Sequence, residues 1–238
     1  VAVESVLKQS YKNIELIIVD DYSTDDTISI INRLAEKDDR IRIIQLGENG
    51  GTYVAKNHGL SVALGEFIAF HDSDDWCHPS KLATQFDLLN GQDNLVAVTS
   101  DYIRVDEDSN IHLHNRGAVR HGFISLFMRR DTVVERIGFF DSVRVSADAE
   151  YERRIRAAFG DDALVHVSLP LIFATVRSSS LSQGGQFQLE WAGLSGARLE
   201  YKQSFEIFHD RIRSGDVEPY TEFPLKERSF DAPKEIIY

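Results

Sequence analysis

The chain has one cysteine, Cys77, in 238 residues. An internal disulfide is therefore excluded, and Cys77 has no thiol neighbour with which to build a zinc site. It reads as a packing residue in a chain compatible with a reducing compartment. Long hydrophobic runs are missing too. Apolar residues make up 42% of the sequence, yet no stretch approaches the ~18–20 residues that span a bilayer, and no signal peptide is visible. Positive charge is scarce: 26 Lys and Arg stand against 38 Asp and Glu, for a net charge of −12. That balance argues against holding nucleic acid or anionic lipid through bulk electrostatics. The eight histidines include His71, His78, His112, His114 and His121, but none pair at i, i+4 on an expected helix. A His-based zinc site is not expected.

What the chain does have is alternation. Val3, Val6 and Leu7 share one side of a helix end. Ile14 to Val19 reads as a strand closed by Asp20-Asp21, and Asp25 or Asp26 can cap a helix running to about Lys37. Ile41 to Leu46 is the next strand, Asn49-Gly50-Gly51 a turn, Thr52 to Leu64 a helix, and Phe67 to Phe70 a buried strand. This order predicts right-handed crossovers and a parallel sheet, and the length suits one α/β domain, with or without an extension. From Leu95 the pattern loosens into shorter strands at Leu95–Ser100, Ile111–His114 and Ile124–Met128. Gln188 to about Arg213 reads as a long helix with Trp191, Leu194, Tyr201, Phe205 and Phe208 at packing spacing. After it, Val217–Tyr238 carries Pro219, Pro224 and Pro233 and looks extended.

The most informative residues are Asp72-Ser73-Asp74-Asp75-Trp76. They follow an apolar strand, and ligands in open α/β folds bind at the carboxyl ends of such strands. Three carboxylates in four residues repel one another unless a cation sits among them, and oxygen-only ligation suits Mg²⁺ or Mn²⁺. The sharp reading is a metal–diphosphate site. The bland one is an acidic turn opening a helix, a task His78-Pro79 already fills with Pro at the first helical position. Further on, a helix from Asp148 to Ala158 buries Tyr151, Ile155 and Ala158, with Asp148 on the same stripe one turn earlier. Such a carboxylate either stabilises the amino end of its helix or projects into a cleft as a base. Glu150 falls about 200° around the helix from Asp148 and is a poor stand-in.

Three motifs in order carry a family resemblance. They are Val19-Asp20-Asp21-Tyr22-Ser23-Thr24-Asp25-Asp26-Thr27, then Asn49-Gly50-Gly51 through Ala55-Lys56-Asn57-His58-Gly59, then His71 to Trp76. Together they resemble family two of the inverting glycosyltransferases, which has the GT-A fold, over about residues 4 to 177. A fourth match runs from Arg129-Arg130-Asp131 through Gly138-Phe139-Phe140-Asp141 to Ala147-Asp148-Ala149-Glu150. The resemblance implies an α/β, GT-A-like (Rossmann-like), mainly parallel sheet flanked by helices. It divides the chain into a core, 1–177, and a C-terminal long helix and extended tail, 178–238.

It also implies roles. Asp20 and Asp21 end a buried strand, and Asp21 inherits the nucleobase contact, while an Asx-turn is the plainer account of the neighbouring Asp25 and Asp26. Asn49 and Gly51 let the backbone pass close to the donor or simply turn. Lys56 stands where relatives carry Arg, keeping the charge but not the bidentate fork. Asp74 becomes the principal ligand of Mn²⁺ or Mg²⁺, with Asp72 nearer the ribose or a metal-bound water. Asp148 becomes the catalytic base, although relatives carry an acid pair there and Ala147 replaces its first member. Arg177 matches a basic residue on a loop over the diphosphate; alone it reads equally as a surface residue.

The implied activity is metal-dependent, inverting transfer from a nucleoside-diphosphate sugar, expected to be a UDP-sugar, to a hydroxyl of a glycan or glycoconjugate. Polysaccharide or glycoconjugate synthesis is the family's setting, so a cytoplasmic enzyme is expected, with peripheral attachment at the inner membrane face through parts outside this chain. Two alternatives stay open: a sugar-1-phosphate nucleotidyltransferase, and a non-catalytic nucleotide-binding module that the missing acid at Ala147 would suit. A last expectation concerns the sheet. Crossover topology calls for a strand before the first helix, in the family a central one between Ile14–Val19 and Phe67–Phe70. The chain is therefore expected to be a piece of a longer protein, with a slot of roughly 9–10 Å between those strands.

Overall fold

The computed structural model describes residues 1–106, 108, 110–113, 117–176 and 194–238. The chain opens with α1 (Ala2–Leu7), β1 (Leu16–Asp20), α2 (Thr27–Ala35), β2 (Ile41–Gln45), α3 (Thr52–Val62) and β3 (Phe67–Ala69). It continues with β4 (Trp76–Cys77), α4 (Lys81–Asn90), β5 (Ala97–Val105), β6 (Val119–Arg129), α5 (Arg130–Ile137), α6 (Ala147–Phe159), β7 (Leu164–Thr175) and α7 (Gly196–Arg213). The alternating first half follows the expected order, because each apolar strand is followed by a helix that must cover it. Asp26 takes the position before α2, and the Asp25 carboxylate accepts the Thr27 N–H at 2.9 Å.

The strands form a pair and a five-stranded sheet. β1 runs parallel to β2, from Leu16 opposite Ile41 to Asp20 opposite Gln45. The larger sheet has the order β3-β6-β5-β7-β4, with β5 and β7 parallel and the other three neighbours antiparallel. The architecture is α/β and GT-A-like, with a mixed sheet. The mixing comes from β6, which runs antiparallel to both β3 and β5, and from the short β4, antiparallel to β7. Among the described residues the expected strand at Ile111 contributes a single bridge to Val105, while β5 and β6 run longer than their apolar cores suggested. Pro79 does not open α4; Ser80 holds the cap position, and the helix begins at Lys81. His114 and Trp191 lie outside the described residues.

β1 and β3 do not hydrogen-bond to each other. β1 pairs with β2 and β3 with β6, and between them lies a cavity of about 1030 Å³. Leu16, Ile17 and Val19 line one side, and Phe67, Ile68 and Phe70 the other. Lys81 also faces it, 2% exposed, and burial pushes its ammonium down to about 8. Burial, followed by the neighbouring Lys81, takes His71 on the same wall down to about 4. No helix among the described residues is long and apolar enough to cross a membrane.

One continuous core joins the two halves of the chain. Phe70, Met128, Ile137, Phe140, Tyr151 and Ile155 pack with Tyr201 and Phe205 of α7 and with Ile236 near the C-terminus. At its centre is an ion pair with no access to water. Arg154 reaches Glu150 at 2.8 and 3.1 Å, and its remaining donors go to the Ile137, Phe139 and Pro219 carbonyls and the Thr221 hydroxyl. His209 of α7 lies 3.0 Å from the same Glu150 carboxylate. Burial opposes ionisation of Glu150, but Arg154 and His209 outweigh it and hold the carboxyl below its ordinary range. A depressed carboxyl contributes stability above its unfolded pKa and loses it as pH falls through the folded value. Arg154→Met should strand the Glu150 charge and cost about 3–5 kcal/mol, read as a lower denaturation midpoint at pH 7; a loss under about 1 kcal/mol would contradict this account.

Candidate active site

The site begins where β1 stops. Asp20 is buried, and its Oδ2 accepts the Ser23 N–H at 3.3 Å. Its Oδ1 is buried with no protein partner among the described residues. An orphaned carboxylate oxygen is costly and calls for a donor the protein itself does not supply. Asp21 behaves differently. Its two oxygens accept the N–H groups of Gly50 and Gly51 at 2.8 and 2.7 Å, and Asn49 donates to the Asp21 carbonyl at 3.1 Å. Asp21 thus clamps the turn before α3. Gly51 sits there at φ 82°, in the left-handed region that a side chain resists.

α3 then presents two side chains one turn apart. Lys56 places its ammonium 2.8 Å from Asp72 Oδ1, and the Tyr53 hydroxyl donates to Asp148 Oδ1 at 2.9 Å. The ammonium also lies 5.4 Å from the Tyr53 ring centroid. A polar chain therefore runs Asp72–Lys56–Tyr53–Asp148, linking the acidic cluster after β3 to the start of α6. Burial works against the Asp72 charge, but Lys56 outweighs it and keeps the carboxyl below its usual range. Lys56 is raised in turn, Asp72 overcoming its desolvation. Burial first, then Asp148, drives the Tyr53 phenol well above its ordinary value, so it stays a proton donor.

Asp75 is buried and accepts the Thr175 N–H at 3.0 Å. Burial, then the nearby Asp72 and Asp74 charges, push it up to about 7. Among the described residues no three ligating side chains converge as a ready-made metal cage. Hard ions that bind nucleotides are commonly held by one or two carboxylates plus substrate phosphates; Asp72 and Asp74 are half-buried carboxylates of the right chemistry, with Asp72 paired to Lys56.

At the start of α6, Ala147 is fully buried in the core, so Asp148 is the residue there that reaches the site. Glu150 is taken up by Arg154 and His209, as its helical phase suggested. Ser146, at φ 69°, accepts a hydrogen bond at 2.8 Å from Arg198 of α7. Burial holds Arg198 below its ordinary value, against the opposing pull of Tyr53 and Asp148. Tyr53 and Arg198 are the residues that sequence reasoning missed. Tyr53 lies on the stripe with Asn57 and Leu60, and Arg198 precedes the buried Tyr201 by three; a polar group on each inward stripe was the available signal. Arg177 lies outside the described residues.

Residues 1–152 match the family model described as glycosyl transferase family 2. A glycosyltransferase of Streptococcus pneumoniae, GlyG, is 37% identical over 115 residues, 48% of this chain and 38% of that protein. The Escherichia coli protein named UDP-Glc:alpha-D-GlcNAc-diphosphoundecaprenol beta-1,3-glucosyltransferase WfaP is 43% identical over 104 residues, 44% of this chain and 41% of its own length. The matched segment thus spans about two fifths of these relatives. Among solved structures, Staphylococcus aureus TarS 1–349 with UDP-GlcNAc superposes with a TM-score of 0.61 at 19% identity, covering 90% of this chain and 66% of that one. The mannosyltransferase PcManGT of Pyrobaculum calidifontis, with GDP-Man and Mn²⁺, gives 0.55 at 19% identity over 73% and 51%. At such identity these neighbours speak for the GT-A fold.

Lys56→Met should leave Asp72 half-buried and unpaired. The expected cost is about 2 kcal/mol, below the full penalty of a broken buried pair because the Asp72 side chain is 32% exposed. Added Mn²⁺ should recover more melting temperature in this variant than in the parent; equal recovery would show that Lys56 and the ion do not compete for Asp72.

Proposed function

Since the chain belongs to glycosyl transferase family 2, we propose that it transfers a sugar, with inversion, from a UDP-sugar to a hydroxyl of a growing glycan or glycoconjugate. The observation that carries this is the pairing on α3: Lys56 holds Asp72 and Tyr53 holds Asp148, so one helix sets the distance between a donor-side carboxylate and a base. The acceptor O–H gives its proton to Asp148 while its oxygen bonds to the anomeric carbon. The bond from that carbon to the diphosphate breaks, and its electron pair leaves with the phosphate oxygen. Asp74 and Asp72 are the residues to hold Mn²⁺ or Mg²⁺, which when bound neutralises charge on the departing diphosphate. Asp20, with its unpartnered oxygen, is assigned to a donor hydroxyl or base N–H, and Asp21, with Asn49 and Gly51, to shaping the turn beside the base. Arg177 is kept as a contact to the diphosphate. Residues 1–177 form the catalytic core in this reading, and 178–238 an extension that lends Arg198 to the site. The E. coli relative's name, with its UDP-glucose donor, supports the choice of nucleotide.

A thermal-shift panel of nucleoside-diphosphate sugars with and without Mn²⁺ tests the reading. A donor at 100 times its dissociation constant adds about 2.7 kcal/mol; no shift with any donor would overturn it. Asp74→Asn should abolish the Mn²⁺-dependent part of UDP binding in a folded protein, and undiminished affinity would remove Asp74 from the ion. Asp148→Asn should spare donor binding and lower turnover by about 10²–10⁴, measured as UDP release. Near-parent turnover would return Asp148 to helix capping.

A further inference from the structure

The segment after α7 folds back across the core. Thr221 bridges to Gly138, Arg228 pairs with Asp141, and Ile237 bridges to Val143 with Ile236 fully buried beside it. These anchors deliver Tyr238 to a particular place. Its hydroxyl and ring lie so close to Gly51 that a methyl group on that glycine would collide with them. Gly51 is also the residue whose N–H is held by Asp21. The Arg144 guanidinium sits over the Tyr238 ring at 4.3 Å from its centroid, fixing its plane, yet the residue remains 48% exposed. An oriented aromatic ring with a cation over it, its hydroxyl end beside Gly51 and about half of the residue still exposed is a platform for a flat π-system. Phosphate gains nothing from such a surface, whereas a base stacks on it.

We propose that Tyr238 is the stacking platform for the base of the donor nucleotide, oriented by Arg144 and placed beside the Asp21–Gly51 clamp by the anchored C-terminal segment. This rests on the donor reading above and extends it to a residue far outside the matched family segment, 1–152. It also gives Gly51 a second reason to lack a side chain: the turn leaves room for the ring as well as adopting a positive φ. Arg144 is a positioning residue here, since it acts on the base through the ring.

Calorimetric titration with UDP, with uridine and with inorganic pyrophosphate separates base from phosphate recognition. Tyr238→Ala should weaken UDP and uridine about tenfold, within the range of a lost base–aromatic stack, and leave pyrophosphate unchanged. Tyr238→Phe should keep parent affinity for all three. Unchanged UDP binding in Tyr238→Ala overturns the proposal, and tighter binding overturns it by showing that the ring obstructs the site. An equal loss for pyrophosphate also overturns it, by assigning Tyr238 a structural role. If the parent protein binds no nucleoside diphosphate, the donor reading itself fails; if the parent binds and the variant matches it, only the role of Tyr238 does.

Discussion

The contact on which most of this structure depends is the buried pair between Glu150 and Arg154. A guanidinium with no access to water must satisfy every donor inside the protein, and this one does so on three separate pieces of chain. Glu150 lies one turn away on α6, the Ile137 and Phe139 carbonyls precede it, and Pro219 and Thr221 come from beyond α7. His209 adds α7 through the same carboxylate. α6 is thereby fixed against everything it touches, and Asp148 two residues before Glu150 inherits that rigidity. In the transfer proposed above, a carboxylate that takes a proton from a hydroxyl at hydrogen-bond distance needs such a mounting.

α3 is the second fixed point. Its buried side carries Asn57, whose amide exchanges two hydrogen bonds with Phe140, one each way. That clasp ties α3 to the loop leading into α6. Tyr53 and Lys56 then point from a helix whose position relative to α6 is already set. The two carboxylates they hold repel each other less than their charges alone suggest, because a cation and a phenol stand between them.

Much of this is legible in the amino-acid sequence, because it is local. Carboxylates at strand ends, a Gly-Gly turn and an acid at a helix start are short-range patterns, and Asp20, Asp21, Asp72, Asp74 and Asp148 all fall at such places. What stays hidden there depends on distances between elements. Nothing near Lys56 in the sequence says that it meets Asp72, and nothing near Arg198 says that it approaches Ser146, 52 residues earlier. The strand expected at Ile111 reduces, among the described residues, to one bridge with Val105, beside which the His112 N–H donates to the Arg104 carbonyl. The first helical position of α4 moved from Pro79 to Lys81, with Ser80 at the cap, and the Pro79 carbonyl accepts the Ser10 N–H outside the helix.

The two parallel strands β1 and β2 share no ladder with the larger sheet across the cavity that separates them. Among the described residues each of the two pairs only with the other, and α3 packs on β1 and α2 on β2. Cooperative units in native proteins follow such boundaries. α3, which packs on β1 and is clasped to Phe140 through Asn57, is an element that ties Asp20 and Asp21 to the half of the molecule holding the Glu150–Arg154 pair. Amide exchange in Leu16–Asp20, paired with β2, should then report a lower opening energy than exchange in β5, which is paired on both sides by β6 and β7.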